Sequence, residues 1–325
     1  MAGKKRAGKI ITSALKLLIT ILIIAFLIDR LGWRTIVDTV RGADAWWLAA
    51  SVAVFLVSVA LGTVQWRLLL ANRGLSLPFA RTLKLYFMGM FFNNFIAGGI
   101  VGDAVKIASI HSRDGAGRVG FAATALDRFA GLWALCGFAV IGSVILLNRG
   151  MLTHGRIATA VIALFAAFAL FAGIMLFLVC KPLQRFVFTV VDRFTFLRRL
   201  NITGIIAELL IEARDYRLLA SVAGIAALTQ FLRIASNILV AVSLGLVTAE
   251  NFQYFFIFVP ILGMVMTIPL PFGVREMFGG ALFALAGFPR DAAIVMGFLA
   301  SIVAITVSSL GGVFFVTEKM HRPAE

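Results

Sequence analysis

Asn93 and Asn94, three glycines at Gly98, Gly99 and Gly102, and then Asp103 and Lys106 form the first place in this sequence where polar chemistry and backbone freedom coincide. Glycines let backbone amides approach a ligand closely. Asp103, directly after them, suits the cap of a helix beginning near Ala104. A helix start with exposed N–H groups attracts anions, and Lys106, one turn in from Asp103, would add positive charge. The same residues equally suit a hairpin turn with a structural cap and a lysine that snorkels toward the headgroups.

Three further constellations carry chemistry. Asp127 and Arg128 lie in an apolar run opened by Arg118, about 14 Å further along at ~1.5 Å per residue. Gly120, Thr124, Asp127 and Gly131 recur at helical spacing, so Asp127 points into protein along a face small enough for close helix contact. Arg128, turned by ~100° on a helix, faces a different partner. Ligand contact and a buried structural ion pair both fit. Gly273, Arg275 and Glu276 follow Pro269 and Pro271. The planar fork of Arg275 suits phosphate oxygens, or it pairs with Asp127 or Asp103 and locks two halves together. Gln230, Arg233 and Asn237, spaced by three and four, share one helical stripe. They form either a wet, ligand-facing surface or a polar network between helices.

These groups need elements that carry them to membrane depth. The 325 residues are 61% hydrophobic and 14% charged, against about 25% charged in soluble domains. No water-soluble fold hides that much apolar surface, so the reading is all-α: a polytopic membrane helical bundle forming one domain over 1–325. Full spans are expected at 10–28, 45–70, 118–147, 157–180, 218–246 and 291–316, the first an uncleaved helix rather than a signal peptide. Trp46-Trp47 reads as an interfacial anchor, and 29–44 as a short interfacial helix.

Residues 81–117 and 253–290 are apolar but broken midway by glycine, proline and polar side chains. Such backbone is tolerated at membrane depth only inside protein or beside a watery cavity. Both are read as re-entrant broken-helix hairpins. With the N-terminus in the cytoplasm, twenty of the 30 Lys and Arg then fall on the cytoplasmic side, seven of them in the basic loop 181–217, as the positive-inside rule requires. Lys16, Arg128, Arg233 and Arg275 remain at depth. Each half, 1–147 and 157–316, reads span, span, hairpin, span, with opposite orientation: an inverted-topology repeat of the kind transporters use. Ordinary crossings with helix breaks are the other reading.

The net charge of +15 thus has a membrane explanation, and nucleic acid is not expected as a partner. Cys136 and Cys180 stand alone in apolar runs, and His111, His154 and His321 are scattered, so neither disulfide nor metal site is expected. No nucleotide loop or nucleophile motif is visible. No cofactor is implied.

The run Asn94, Ala97-Gly98-Gly99-Ile100-Val101-Gly102-Asp103, Lys106 and Asp127-Arg128-Phe129-Ala130-Gly131, with Pro269-Leu270-Pro271-Phe272-Gly273-Val274-Arg275-Glu276, resembles the flippase-like membrane domain of lysylphosphatidylglycerol synthases, shared with stand-alone UPF0104-type membrane proteins. The resemblance covers roughly 10–316. It implies movement of lipid, and relatives are associated with hopanoid or polyprenyl-linked sugar pathways. The chain departs from the family's pattern at Ala97, where proline is common, and at Lys106, where arginine is common. A lysine is a point charge, so a carried-over phosphate contact there is weakened. The soluble aminoacyl-transferase domain is absent, so the chain is not expected to make the lysyl-lipid or to be an enzyme.

The leading expectation is a lipid flippase or transporter of the bacterial inner membrane, with both termini cytoplasmic, moving a polar lipid or lipid-linked headgroup by alternating access. A lipid-synthesising enzyme partner and a homo-oligomer are compatible with it. The alternatives are a membrane-embedded lipid-modifying enzyme using Asp103, Asp127 and Glu276 as acids and bases, and a non-transporting scaffold of a lipid-synthesis complex.

Overall fold

The computed structural model describes residues 38, 40–95, 100–150, 162, 165–166, 168–174, 215–265 and 274–320. The expected spans 10–28 and, for most of its length, 157–180 lie outside them, as do the basic loop 181–217 and most of the expected interfacial helix 29–44. The described residues form eight α-helices and one short 3-10 helix, with no strand among them. The helices are α1 (Ala45–Asn72), α2 (Phe79–Phe95), α3 (Val101–Asp114), α4 (Gly117–Asn148), α5 (Tyr216–Ser243), α6 (Phe255–Val265), α7 (Val274–Leu285) and α8 (Arg290–Met320).

Four of these, α1, α4, α5 and α8, are long and apolar enough to cross a membrane. They match the expected spans 45–70, 118–147, 218–246 and 291–316 to within a few residues. The helices α2, α3, α6 and α7 have 17, 14, 11 and 12 residues, each short of the ~20 needed for a crossing.

Helix ends repeat in order along the chain. Asp44 accepts a hydrogen bond from the Trp46 N–H at 2.8 Å and so caps α1; Asp215 accepts from Arg217 N–H at 2.9 Å and caps α5. Carboxylates there satisfy orphan donors and oppose the helix dipole. Gly74 and Gly245, with φ of 80° and 67°, then end the same two helices. In both, the glycine N–H and the next N–H return to carbonyls of the last turn, a Schellman arrangement that needs the left-handed conformation.

Contacts divide the chain into two compact units. The first holds the described residues within Met1–Val59, Lys84–Lys106 and Leu232–Glu325; the second those within Ala60–Leu83 and Ile107–Phe231. Each takes residues from both expected halves.

In the first unit, α1 and α5 run antiparallel. Ser51 Oγ donates to the Ser236 carbonyl at 2.9 Å, Ser236 Oγ returns to the Ser51 carbonyl at 3.1 Å, and Asp44 N–H donates to Ser243 O at 2.8 Å. Small hydroxyl residues allow that close approach. The helix α6 folds back on α7 through a ring cluster of Phe255, Phe258, Phe283 and Phe288, with centroids 4.8–5.9 Å apart. The helix α8 then returns along α7, Gly280 against Ile294 and Gly297 against the Glu276 backbone.

In the second unit, α1 lies against α4. Trp66 Nε1 donates to Thr124 Oγ1 at 3.1 Å, with Trp66 fully buried. Phe129 meets Phe171, and Phe138 meets Phe231. Arg81 forms a two-pronged ion pair with Asp114 at 3.1 and 2.7 Å, tying α2 to the end of α3.

Candidate functional site

The first helix break separates α2 from α3. Gly98 and Gly99 lie outside the described residues. Beyond them α3 starts at Val101, three residues earlier than the expected Ala104, so Asp103 sits inside the first turn rather than at the cap. The capping acceptor is instead Asn93, whose Oδ1 takes the Gly102 N–H at 2.7 Å. The chain has folded back to make this contact. A Cβ at Gly102 would stand 1.8 Å from the Gly89 carbonyl oxygen, so only glycine permits the two backbones to touch.

Further along the fold-back, Lys106 is buried, at 4% exposure, and does not snorkel. Its Nζ is 3.1 Å from Asp103 Oδ1 and lies over the Tyr86 ring at 5.1 Å, while its stem covers Gly89. The pairs Asn93–Gly102, Gly89–Gly102 and Tyr86–Lys106 run in opposite senses along the two helices, which makes α2 and α3 antiparallel. The buried cation of Lys106 is thus matched by the acid at the first turn of α3 and by a ring face, in surroundings where an unmatched charge costs several kcal/mol, about 2 or more by any scale.

The second break separates α6 from α7. Gly273 lies outside the described residues, and so does the side chain of Arg275, although its backbone belongs to the first turn of α7. Glu276 is 2% exposed and accepts a hydrogen bond from Ser301 Oγ at 2.5 Å. Asp103 and Glu276 therefore hold the same position, each two residues past the start of the helix that follows a break.

Both breaks meet α8. Asn94 Nδ2 donates to Ser308 Oγ at 2.9 Å, while Ser301 holds Glu276. Ser301 and Ser308 flank the middle of the apolar stretch Arg290–Thr317. Gly297, Ser301, Ala304, Ser308 and Gly312 read in sequence as a small-residue packing face, and packing is part of their role. The two hydroxyls add polar contacts that the pattern of small residues did not reveal, although serines seven residues apart in an apolar helix were a visible signal.

In the same unit Arg233 and Asn237 are partly buried on α5. Asn237 Nδ2 donates to the Arg233 carbonyl at 2.9 Å. Arg233 Nε is buried and meets no hydrogen-bond acceptor among the described residues.

The second unit holds Asp127, Arg128 and Gln230. Asp127 is buried, and Gln65 Nε2 donates to its Oδ1 at 2.9 Å. Gly120 packs on Ile110 and Gly131 on the Gln230 amide. The expected face of Gly120, Thr124, Asp127 and Gly131 is therefore the buried one. Arg128 is exposed, on a different side, as a turn of ~100° per residue requires. Gln65 and Trp66 were missed by the sequence reading; a glutamine inside an apolar span was the available signal.

Among the described residues no group of three His, Cys, Asp or Glu stands close enough to hold a metal. No curated protein matches the chain. The family model described as the lysylphosphatidylglycerol synthase TM region matches residues 13–312. With its apolar helices and buried ionisable groups, this chain is a helical membrane protein belonging to the lysylphosphatidylglycerol synthase TM region family.

Proposed function

We propose that this protein moves a polar lipid or a lipid-linked headgroup across the bilayer. One observation carries the reading: two interrupted helices present polar residues to the middle of a single apolar span, Asn94 through Ser308 and Glu276 through Ser301. Broken helices meeting near the midplane are how many secondary transporters bind polar cargo. The order long helix, short antiparallel pair, long helix occurs twice, as α1 to α4 and α5 to α8. It supports two re-entrant hairpins in an inverted repeat, whose alternate rocking exposes the breaks to either side. The family supports lipid as the cargo.

The roles follow from chemistry. In the first unit Arg233, whose buried Nε meets no acceptor among the described residues, and Arg275 supply donors to phosphate oxygens, and in the second unit Arg128 does. Lys106 adds a point charge, held by Asp103 until a phosphate competes for it. Asp127, with Gln65 on one oxygen, and Gln230 are polar groups of the second unit, and Asn237 is one of the first. Gly102 lets the backbone of α3 lie against that of α2, and Gly98, Gly99 and Gly273 keep the ligand-approach role that their sequence suggests. In this reading the protein sits in the bacterial inner membrane with both termini in the cytoplasm, makes no covalent change to the lipid, and takes its substrate from a lipid-synthesising enzyme.

Headgroup accessibility in proteoliposomes tests it. The expected result is translocation of labelled phospholipid above protein-free vesicles, cut at least about tenfold by Arg233→Ala, Arg275→Ala or Asp127→Asn, a loss of ~1.4 kcal/mol or more in transition-state or binding terms. Wild-type protein and all three variants matching empty vesicles would sink the reading for the lipids tried. A covalent product from labelled lipid would favour the enzyme instead.

A further inference from the structure

Two hydroxyls on one face of α8 are used by two different broken helices. Ser301 and Ser308 are 1% and 0% exposed. They lie two turns apart, about 10 Å along the axis at ~1.5 Å per residue. Around them the face is bare: Gly297 lies under the Glu276 backbone, and a Cβ at Gly311 would stand 2.0 Å from the Phe87 carbonyl oxygen. Backbone contact of this kind leaves α8 little freedom to slide against either α7 or α2.

A serine hydroxyl has one proton, and the two serines use it differently. Ser301 donates to Glu276 Oε1, which fixes the carboxylate rotamer. Ser308 donates to its own helix at Ile305 O, 3.0 Å, and so offers a lone pair to Asn94 Nδ2. That sets the Asn94 amide with its nitrogen toward α8 and its Oδ1 away. Asn94 as a residue is exposed.

We propose that Ser301 and Ser308 are positioning residues: they orient Glu276 and Asn94 as hydrogen-bond acceptors at the two breaks and couple those breaks through one rigid helix. The inference rests on the transport reading above, since it assigns the two serines a role in the same site. A headgroup donor then meets a preset acceptor at each break, and loss of one serine weakens binding rather than turnover.

The test uses full-length protein in vesicles of phosphatidylethanolamine and phosphatidylglycerol with a tail-labelled phosphatidylglycerol probe. Ser301→Ala and Ser308→Ala each raise the half-saturating probe concentration about fivefold, with maximal rate changed less than twofold, the pattern of lost uniform binding. The effect of Ser301→Ala disappears in a Glu276→Ala background, and that of Ser308→Ala in an Asn94→Ala background. Additive losses in the double variants, or a fall in maximal rate alone, overturn the proposal. If wild-type protein moves no probe, the transport reading fails, and the positioning role is judged by amide exchange. Ser301→Ala then speeds exchange in the first turn of α7, and Ser308→Ala in the last turn of α2, by about tenfold. Unchanged exchange at both places overturns it.

Discussion

The hairpin of α2 and α3 is closed by polar side chains and bare backbone: Asn93 on the Gly102 N–H, Gly89 against Gly102, and Lys106 on Asp103 and Tyr86. The hairpin of α6 and α7 is closed by rings, with Phe283 in contact with Phe255, Phe258 and Phe288. Both precede a long apolar helix, and both place an acid at the same step after the break. Directional hydrogen bonds and a backbone contact admit one register. A cluster of rings tolerates small shifts, because edge-to-face contacts persist over centroid separations of about 4.5–7 Å. The first hairpin is therefore the fixed reference of the pair and the second the adaptable one.

Three experiments would break or sharpen that contrast. The largest effect is expected from Phe283→Ala, which empties the centre of the ring cluster. Equilibrium unfolding in mild detergent should show a loss of about 4 kcal/mol, whereas Phe283→Leu, which keeps most of the volume, should lose less than about 1.5. If both cost the same, the cluster is held by something other than packing.

A glycine pair comes next. Gly102→Ala drives a methyl into the Gly89 carbonyl and should cost about 3 kcal/mol. At Gly279 the added Cβ meets only the Leu262 side-chain end at 3.2 Å, so Gly279→Ala should cost less than about 1 kcal/mol, part of it returned by the better helix propensity of alanine. Equal sensitivity of the two sites would erase the distinction between a rigid and an adaptable hairpin.

The smallest effect belongs to the Arg81–Asp114 pair, whose side chains are 29% and 17% exposed. Its geometry is two-pronged, but partial solvation screens it, so Asp114→Asn should cost about 1 kcal/mol or less. The same loss should shrink as salt is raised. A loss that ignores salt would mean that Asp114 acts through local backbone structure instead.

Much of the scaffold was legible in the residues. Long apolar runs announced α1, α4, α5 and α8, because hydropathy is a local property. Glycine, proline and asparagine announced both breaks, because those residues disfavour a continuous helix wherever they occur. The buried side of α4 followed from the spacing of Gly120, Thr124, Asp127 and Gly131. The site was less legible. Asp103 looked like a cap because it follows glycines, but the fold-back supplies Asn93 as the acceptor and frees Asp103 to pair with Lys106. Lys106 looked able to snorkel, yet an aromatic face and a carboxylate hold it inside. Ser301 and Ser308 looked like spacers.

By itself, then, the sequence determined membrane residence, four of the spans and the location of two interruptions, since each depends on residues within a turn or two of one another. Tertiary structure alone decided which atom satisfies which: Asn93 with Gly102, Gln65 with Asp127, Ser301 with Glu276, Ser308 with Asn94. Those partners lie on different helices, and no periodicity along one helix encodes where another will cross it.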